Sequence, residues 1–130
     1  MQTVFVIFLV LNLLVEANAA VLLIMGPDGL SAAGTGGQWS MHYGFAALAI
    51  ASASLWVWRW RTDRHVVTAI LGMLLVFHAG LFVSLAVAGD QQAGMIIHAV
   101  LTTLGLILFT QRSRWCVAPT VSLQPTKEPT

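Results

Sequence analysis

Residues 65–112 decide the fold, and they read HVVTAILGMLLVFHAGLFVSLAVAGDQQAGMIIHAVLTTLGLILFTQR. Two apolar segments, 66–88 and 93–110, flank the polar turn Gly89-Asp90-Gln91-Gln92. A helix needs about 20 apolar residues to cross the hydrocarbon core of a bilayer. The stretch therefore predicts two transmembrane helices joined by a short turn, with one histidine in each, His78 and His98.

The composition of the whole chain extends this prediction. The chain has 130 residues, of which 58% are hydrophobic and 8% are charged, whereas roughly a quarter of the residues in a globular protein are charged. Two further apolar segments lie at about 4–25 and 41–60. We predict an all-α, polytopic membrane protein with four transmembrane helices in an antiparallel up-down bundle (residues 1–116). A disordered tail, 117–130, is expected to follow.

The distribution of charge predicts the orientation in the membrane. All of the arginines lie either between the second and third segments or just after the fourth: Arg59, Arg61, Arg64, Arg112 and Arg114. The other two loops carry only Asp28 and Asp90. By the positive-inside rule, both termini are expected in the cytoplasm.

The same layout indicates location and partners. It is common among small bacterial inner-membrane proteins, so we expect the inner (plasma) membrane. The expected partners are the lipid bilayer and either other membrane helices or a second copy of the chain. Because the basic residues cluster beside the membrane, no nucleic-acid partner is expected.

The first segment has one alternative interpretation. Ala17-Asn18-Ala19 has the A-x-A form of a signal-peptide cleavage site. No basic residue precedes the apolar core, however, and the apolar run continues to Met25. We therefore expect an uncleaved first helix.

The second segment carries a stripe of small residues at helical spacing: Gly44, Ala47, Ala51 and Ser54. Small residues let membrane helices approach closely. The stripe predicts that this helix lies at the centre of the bundle and supplies its contact surface.

Ionisable residues inside a membrane are costly and usually face a bundle interior. Counting about 1.5 Å per residue from a hinge near Gln91 separates His78 from His98 by roughly 9 Å in depth, too far for both to ligate one metal ion. The count instead predicts two layers. His42 and His98 lie towards the outer surface, and Glu16 and His78 lie nearer the midplane.

The two layers indicate different chemistries. His42 and His98 on separate helices could be the axial ligands of a b-type haem. Glu16 and His78, with Asn12 expected to hydrogen-bond Glu16, could relay protons, bind a polar ligand or simply clasp the helices. A zinc or copper site needs three ligands together, which would require a shift of helix register.

Other chemistries are excluded by their absent motifs. The chain contains no phosphate-binding glycine loop, no GxSxG and no HExxH. Its single cysteine, Cys116, rules out an intrachain disulfide and a CxxC pair.

We therefore expect a non-enzymatic subunit or accessory protein that acts through helix packing, with no cofactor assigned. The alternatives are a haem- or metal-binding redox protein using His42 and His98, and a proton-coupled carrier or channel using Glu16 and His78.

Overall fold

The structure is a computed structural model that describes residues 1–27, 30, 39–89 and 91–117. This part of the chain forms four long helices: α1 (Gln2–Met25), α2 (Trp39–Trp56), α3 (Arg64–Ala88) and α4 (Gln92–Gln111). Short 3-10 turns extend α2 over Val57–Trp60 and α4 over Arg112–Arg114. Each helix with its extension is long and apolar enough to cross a membrane. The predicted all-α architecture with four potential spans is confirmed.

Local sequence explains where α3 begins and ends. The Asp63 carboxylate accepts hydrogen bonds from the backbone N–H groups of His65 and Val66 at 2.8 and 3.1 Å, which caps the first turn. At the other end, Gly89 has a φ of 73° and donates its N–H to the Leu85 carbonyl. A left-handed glycine of this kind stops a helix at little cost.

The small-residue stripe of α2 packs against α1. Gly44 lies so close to α1 that a Cβ at this position would be 2.7 Å from Cγ1 of Ile24. Ala47, Ala51 and Ser54 are buried on the same face. Residues on the opposite face are exposed, namely Phe45, Leu48 and Leu55. The prediction that α2 lies at the centre of the bundle is therefore wrong, because the stripe serves one neighbouring helix.

Helices α3 and α4 form the second closely packed pair. Gly105 faces the Leu75 side chain, and Gly72 faces the ring of Phe109. These contacts fix the depth of every residue on α3 relative to those on α4.

The hydrophobic core fills the end of the bundle that carries the arginines. Its buried residues are Phe5, Phe8, Leu9, Val57, Val67, Leu71, Leu74, Leu101, Leu108 and Trp115. Towards the Gly89 turn, the last buried residues of α3 and α4 are His78 and His98. The two histidines therefore mark the outer boundary of the buried part of α3 and α4.

Residues 115–117, which follow α4 and its 3-10 extension, are tied to the rest of the fold. The Trp115 ring packs on Phe5 with centroids 5.1 Å apart, and the Gln2 side chain donates to the Trp115 carbonyl. Val117 donates its N–H to the Thr62 carbonyl at 2.8 Å. Val117, the first residue of the predicted tail, is therefore hydrogen-bonded to the rest of the fold. Residues 118–130 lie outside the described part of the chain.

Candidate metal centre

Polar side chains from all four helices meet at the outer boundary of the core. Asn12 and Glu16 come from α1, Ser54 from α2, His78 from α3 and His98 from α4, and all five are buried. We call these five residues the polar cluster. Asn12 and Glu16 lie four residues apart, so both project from one face of α1.

Three atoms of the cluster form a compact triangle. Oε1 of Glu16 lies 3.7 Å from Nδ1 of His78 and 3.9 Å from Nδ1 of His98. The two Nδ1 atoms are 3.0 Å apart and share a hydrogen bond. Two imidazole nitrogens and a carboxylate oxygen thus converge on one point.

The Asn12 amide bridges α1 to α2 and α3. Its Nδ2 donates to Oγ of Ser54 at 2.9 Å and to the carbonyl of Ile50 at 3.2 Å. Its Oδ1 lies 2.9 Å from Nε2 of His78. The expected hydrogen bond from Asn12 to Glu16 is wrong, because the amide is engaged by other helices.

Oε1 of Glu16 is buried and has no hydrogen-bond partner in the described part of the chain. A buried polar atom left without a partner costs about 1–3 kcal/mol, and in a native protein it calls for an explanation such as an ion. A cation at the centre of the triangle would contact this oxygen and both Nδ1 atoms at once.

The dimensions of the triangle fit such a cation. Its centre is about 2.1 Å from each of the three atoms, and zinc binds histidine nitrogen at 2.0–2.1 Å and carboxylate oxygen at 2.0–2.2 Å. Two histidines and one carboxylate are also a donor set that first-row divalent metals use in other proteins. The residues present therefore fit a metal ion.

Aromatic rings enclose the triangle. The Phe77 ring packs edge-on against His78 and His98, with centroids 5.3 and 6.5 Å apart, and Phe8 packs against His78 at 6.4 Å. These rings hold the imidazoles in place. The His98 side chain keeps 11% of its surface exposed, whereas that of His78 is fully buried.

The predicted separation of His78 and His98 is wrong. Because Gly105 contacts Leu75, the midpoint of the α3–α4 hairpin lies one residue before Gln91, the position from which the sequence-based depths were counted. The difference in depth then falls to about 6 Å. The two imidazole side chains, which extend from helices in direct contact, span this remaining offset.

The predicted pairing of His42 with His98 does not occur. His42 is exposed, and its ring packs against Trp39 near the start of α2. In the described chain, the side-chain partners of His98 are His78, Glu16 and Phe77. The haem hypothesis therefore stays a prediction and gains no support from this arrangement.

Sequence reasoning missed Ser54 and Phe77 as members or neighbours of the site. Ser54 was assigned to the packing stripe of α2. An antiparallel pairing of α1 with α2 that sets Met25 level with Met41 places Asn12 directly opposite Ser54. That alignment was the signal for their hydrogen bond. No comparable signal distinguishes Phe77 from the other apolar residues of α3.

Comparisons of the chain with protein-family models, with curated proteins and with solved structures give no match. The polar cluster is therefore the feature of the molecule that points to a function.

Proposed function

We propose that this protein is a metal-binding integral membrane protein that holds one divalent transition-metal ion between Glu16, His78 and His98. The observation that carries the proposal is the convergence of these three donors. Their ligand atoms all lie within 4.8 Å of one another, and one of them is a buried carboxylate oxygen that has no hydrogen-bond partner among the described residues.

The proposal places this site inside a bilayer. The four helices have the length and composition of membrane spans, and the arginines gather at one end. An antiparallel bundle in a bacterial inner membrane, with both termini cytoplasmic, accounts for these features. The site then lies about midway along α1 and α3.

An ion accounts for an otherwise costly carboxylate. An uncompensated charge is expensive in a low-dielectric interior, and a divalent cation beside Glu16 offsets that expense. Three protein ligands leave at least one coordination position for water or a small ligand. This favours an exchangeable ion over a fully enclosed structural one.

Access is expected from the side opposite the arginines. On α3 beyond His78 and on α4 before His98, the described residues are exposed or only partly buried. Below the histidines lies the closed hydrophobic core. An ion reaching the site would therefore pass His98, the least buried of the three ligands.

The proposal is tested by metal content and affinity in purified protein. We expect one equivalent of Zn²⁺ per chain in wild type, and at least a hundredfold weaker binding in Glu16→Gln, His78→Ala and His98→Ala. His42→Ala and His65→Ala are matched controls, because both histidines are exposed, and they should bind like wild type. Wild-type protein that binds no Zn²⁺, or loss of binding in the His42 control, would contradict the proposal.

A second candidate is the subunit role expected from the sequence. Val76 and Val87 on α3 are 76% and 84% exposed, so this helix offers an apolar face to lipid or to a partner helix. In that role the polar cluster would be a clasp. Glu16→Gln would then alter the oligomeric state without any effect of added metal. The proton-coupled small-solute carrier or channel that uses Glu16 and His78 also stays a prediction.

A further inference from the structure

We propose that Asn12 is the positioning residue of this site: it holds the proton of His78 on Nε2 and thereby presents the Nδ1 lone pair to the ion. The positioning role rests on the proposed function, because it requires an ion that binds to Nδ1 of His78. The assignment of the proton can be tested without any metal.

The contacts of the Asn12 amide with α2 determine its orientation. Nδ2 lies 3.2 Å from the Ile50 carbonyl, and a backbone carbonyl can only accept a hydrogen bond. The second N–H of the same group is taken by Ser54 at 2.9 Å. Both donors thus point towards α2, and this leaves Oδ1 facing α3.

That orientation determines which nitrogen of His78 carries the proton. Oδ1 can only accept, and it lies 2.9 Å from Nε2 of His78. Nε2 must therefore carry the N–H, and Nδ1 of the neutral ring keeps a lone pair, which accepts the hydrogen bond from Nδ1–H of His98 in the metal-free protein. A histidine ligates a metal through an unprotonated nitrogen, and the partner of its other nitrogen determines which one that is.

The Nδ1 atom of His78 that carries this lone pair lies at the proposed metal site. Nδ1 of His78 lies 3.7 Å from Oε1 of Glu16 and 3.0 Å from Nδ1 of His98, which are the other two proposed ligand atoms. The nitrogen freed by Asn12 is thus the one at the triangle. In this way α2, which carries none of the three ligands, contributes to the site through Ser54 and the Ile50 carbonyl.

The variants separate the role of Asn12 from a general effect on packing. Asn12→Leu removes the acceptor at similar size, whereas Asn12→Asp restores an acceptor for the Nε2 proton. Ser54→Ala removes one of the two anchors and leaves the Ile50 carbonyl in place. Asn18→Leu is the matched control, because Asn18 is an exposed asparagine on the same helix.

The deciding experiment is ¹⁵N NMR of the histidine rings in metal-free protein, with the His78 signal assigned by its loss in His78→Gln. Wild type, Asn18→Leu, Ser54→Ala and Asn12→Asp are expected to show His78 with its proton on Nε2. Asn12→Leu is expected to show a mixture of both tautomers or the Nδ1–H form. A wild-type His78 with its proton on Nδ1, or an unchanged tautomer in Asn12→Leu, would overturn the inference.

The same proteins are then titrated with Zn²⁺. Asn12→Leu should bind 10- to 100-fold more weakly than wild type, the usual effect of losing such a supporting partner, and Asn12→Asp should recover most of that loss. Equal affinity in wild type and Asn12→Leu would overturn the positioning role. Absence of Zn²⁺ binding in wild type would instead reject the proposed function, while the NMR result still decides the proton assignment.

Discussion

At the scale of single residues, Glu16 is the side chain that most needs an explanation. It is 1% exposed, and no residue that the structure describes forms a hydrogen bond with its Oε1. Asn12 and His78, in contrast, are held by direct hydrogen bonds. The free energy of unfolding of the metal-free protein is therefore expected to increase when this oxygen is replaced or gains a hydrogen-bond partner.

Glu16→Gln tests this expectation. A neutral amide costs less to bury than an unpaired carboxylate, so the metal-free variant should be as stable as wild type or more stable by up to about 1 kcal/mol. The measurement is thermal unfolding in detergent with and without Zn²⁺.

Added metal should make wild type more stable than Glu16→Gln, which is the reverse of the order expected without metal. Zn²⁺ at a hundred times its dissociation constant should stabilise wild type by about 2.7 kcal/mol and should barely affect the variant. Equal stabilisation of both proteins would count against Glu16 as a ligand.

The residues of the site were predictable to different degrees. An intramembrane carboxylate and histidines point to a bundle interior because of their cost in lipid, so Glu16, His78 and His98 stand out in the sequence. The point at which they meet could not be predicted, because an error of one residue in the hinge of the α3–α4 hairpin changes the expected difference in depth by several ångströms. The hydrogen bond between Asn12 and His78 could not be predicted either, because it depends on the depth of His78.

At the scale of the helices, the tightest approach is between α1 and α2 at Gly44. Replacing Gly44 by valine would force side-chain atoms against Ile24, where even a Cβ lies 2.7 Å from the nearest atom. We expect a loss of about 1–3 kcal/mol, as for other overpacked interiors. Thermal unfolding of the purified variant measures it.

Gly80→Ala is the control for this prediction. Gly80 is also helical, and a Cβ there meets no atom within 4 Å. This variant should be unchanged or slightly stabilised, because alanine favours a helix more than glycine does. If both variants behave alike, the close approach at Gly44 is not important for stability.

The existence of the helices was predictable from the sequence, but their burial was not. Segments of about 20 apolar residues fix four helices, and Gly89 marks the end of α3. Lipid-facing and protein-facing residues are equally apolar in a membrane, however. The sequence therefore contains no sign that α3 is buried only from Val67 to His78, or that one face of α2 is exposed.

At the scale of the whole molecule, the proposed topology places Cys116 on the cytoplasmic side. Burial raises the pKa of this thiol, against the opposing effect of the nearby Arg64 and Arg112. Since the thiolate is the reactive form, labelling should require a higher pH than an ordinary cysteine does.

A membrane-impermeant maleimide should label Cys116 in inside-out vesicles and not in intact spheroplasts. The control combines Cys116→Ser with Leu30→Cys, which introduces a thiol at an exposed position on the opposite side of the proposed topology. It should give the reverse pattern. Labelling of Cys116 in spheroplasts would contradict the N-in, C-in orientation.

The central claim is that one ion is held by Glu16, His78 and His98, and X-ray absorption spectroscopy of the Zn²⁺-loaded protein tests it most directly. The account predicts a first shell of nitrogen and oxygen at about 2.0–2.2 Å, with scattering from two imidazoles. That scattering should fall to one imidazole in His98→Ala and stay unchanged in His42→Ala. A spectrum without histidine scattering, or one that His98→Ala does not alter, would contradict the claim.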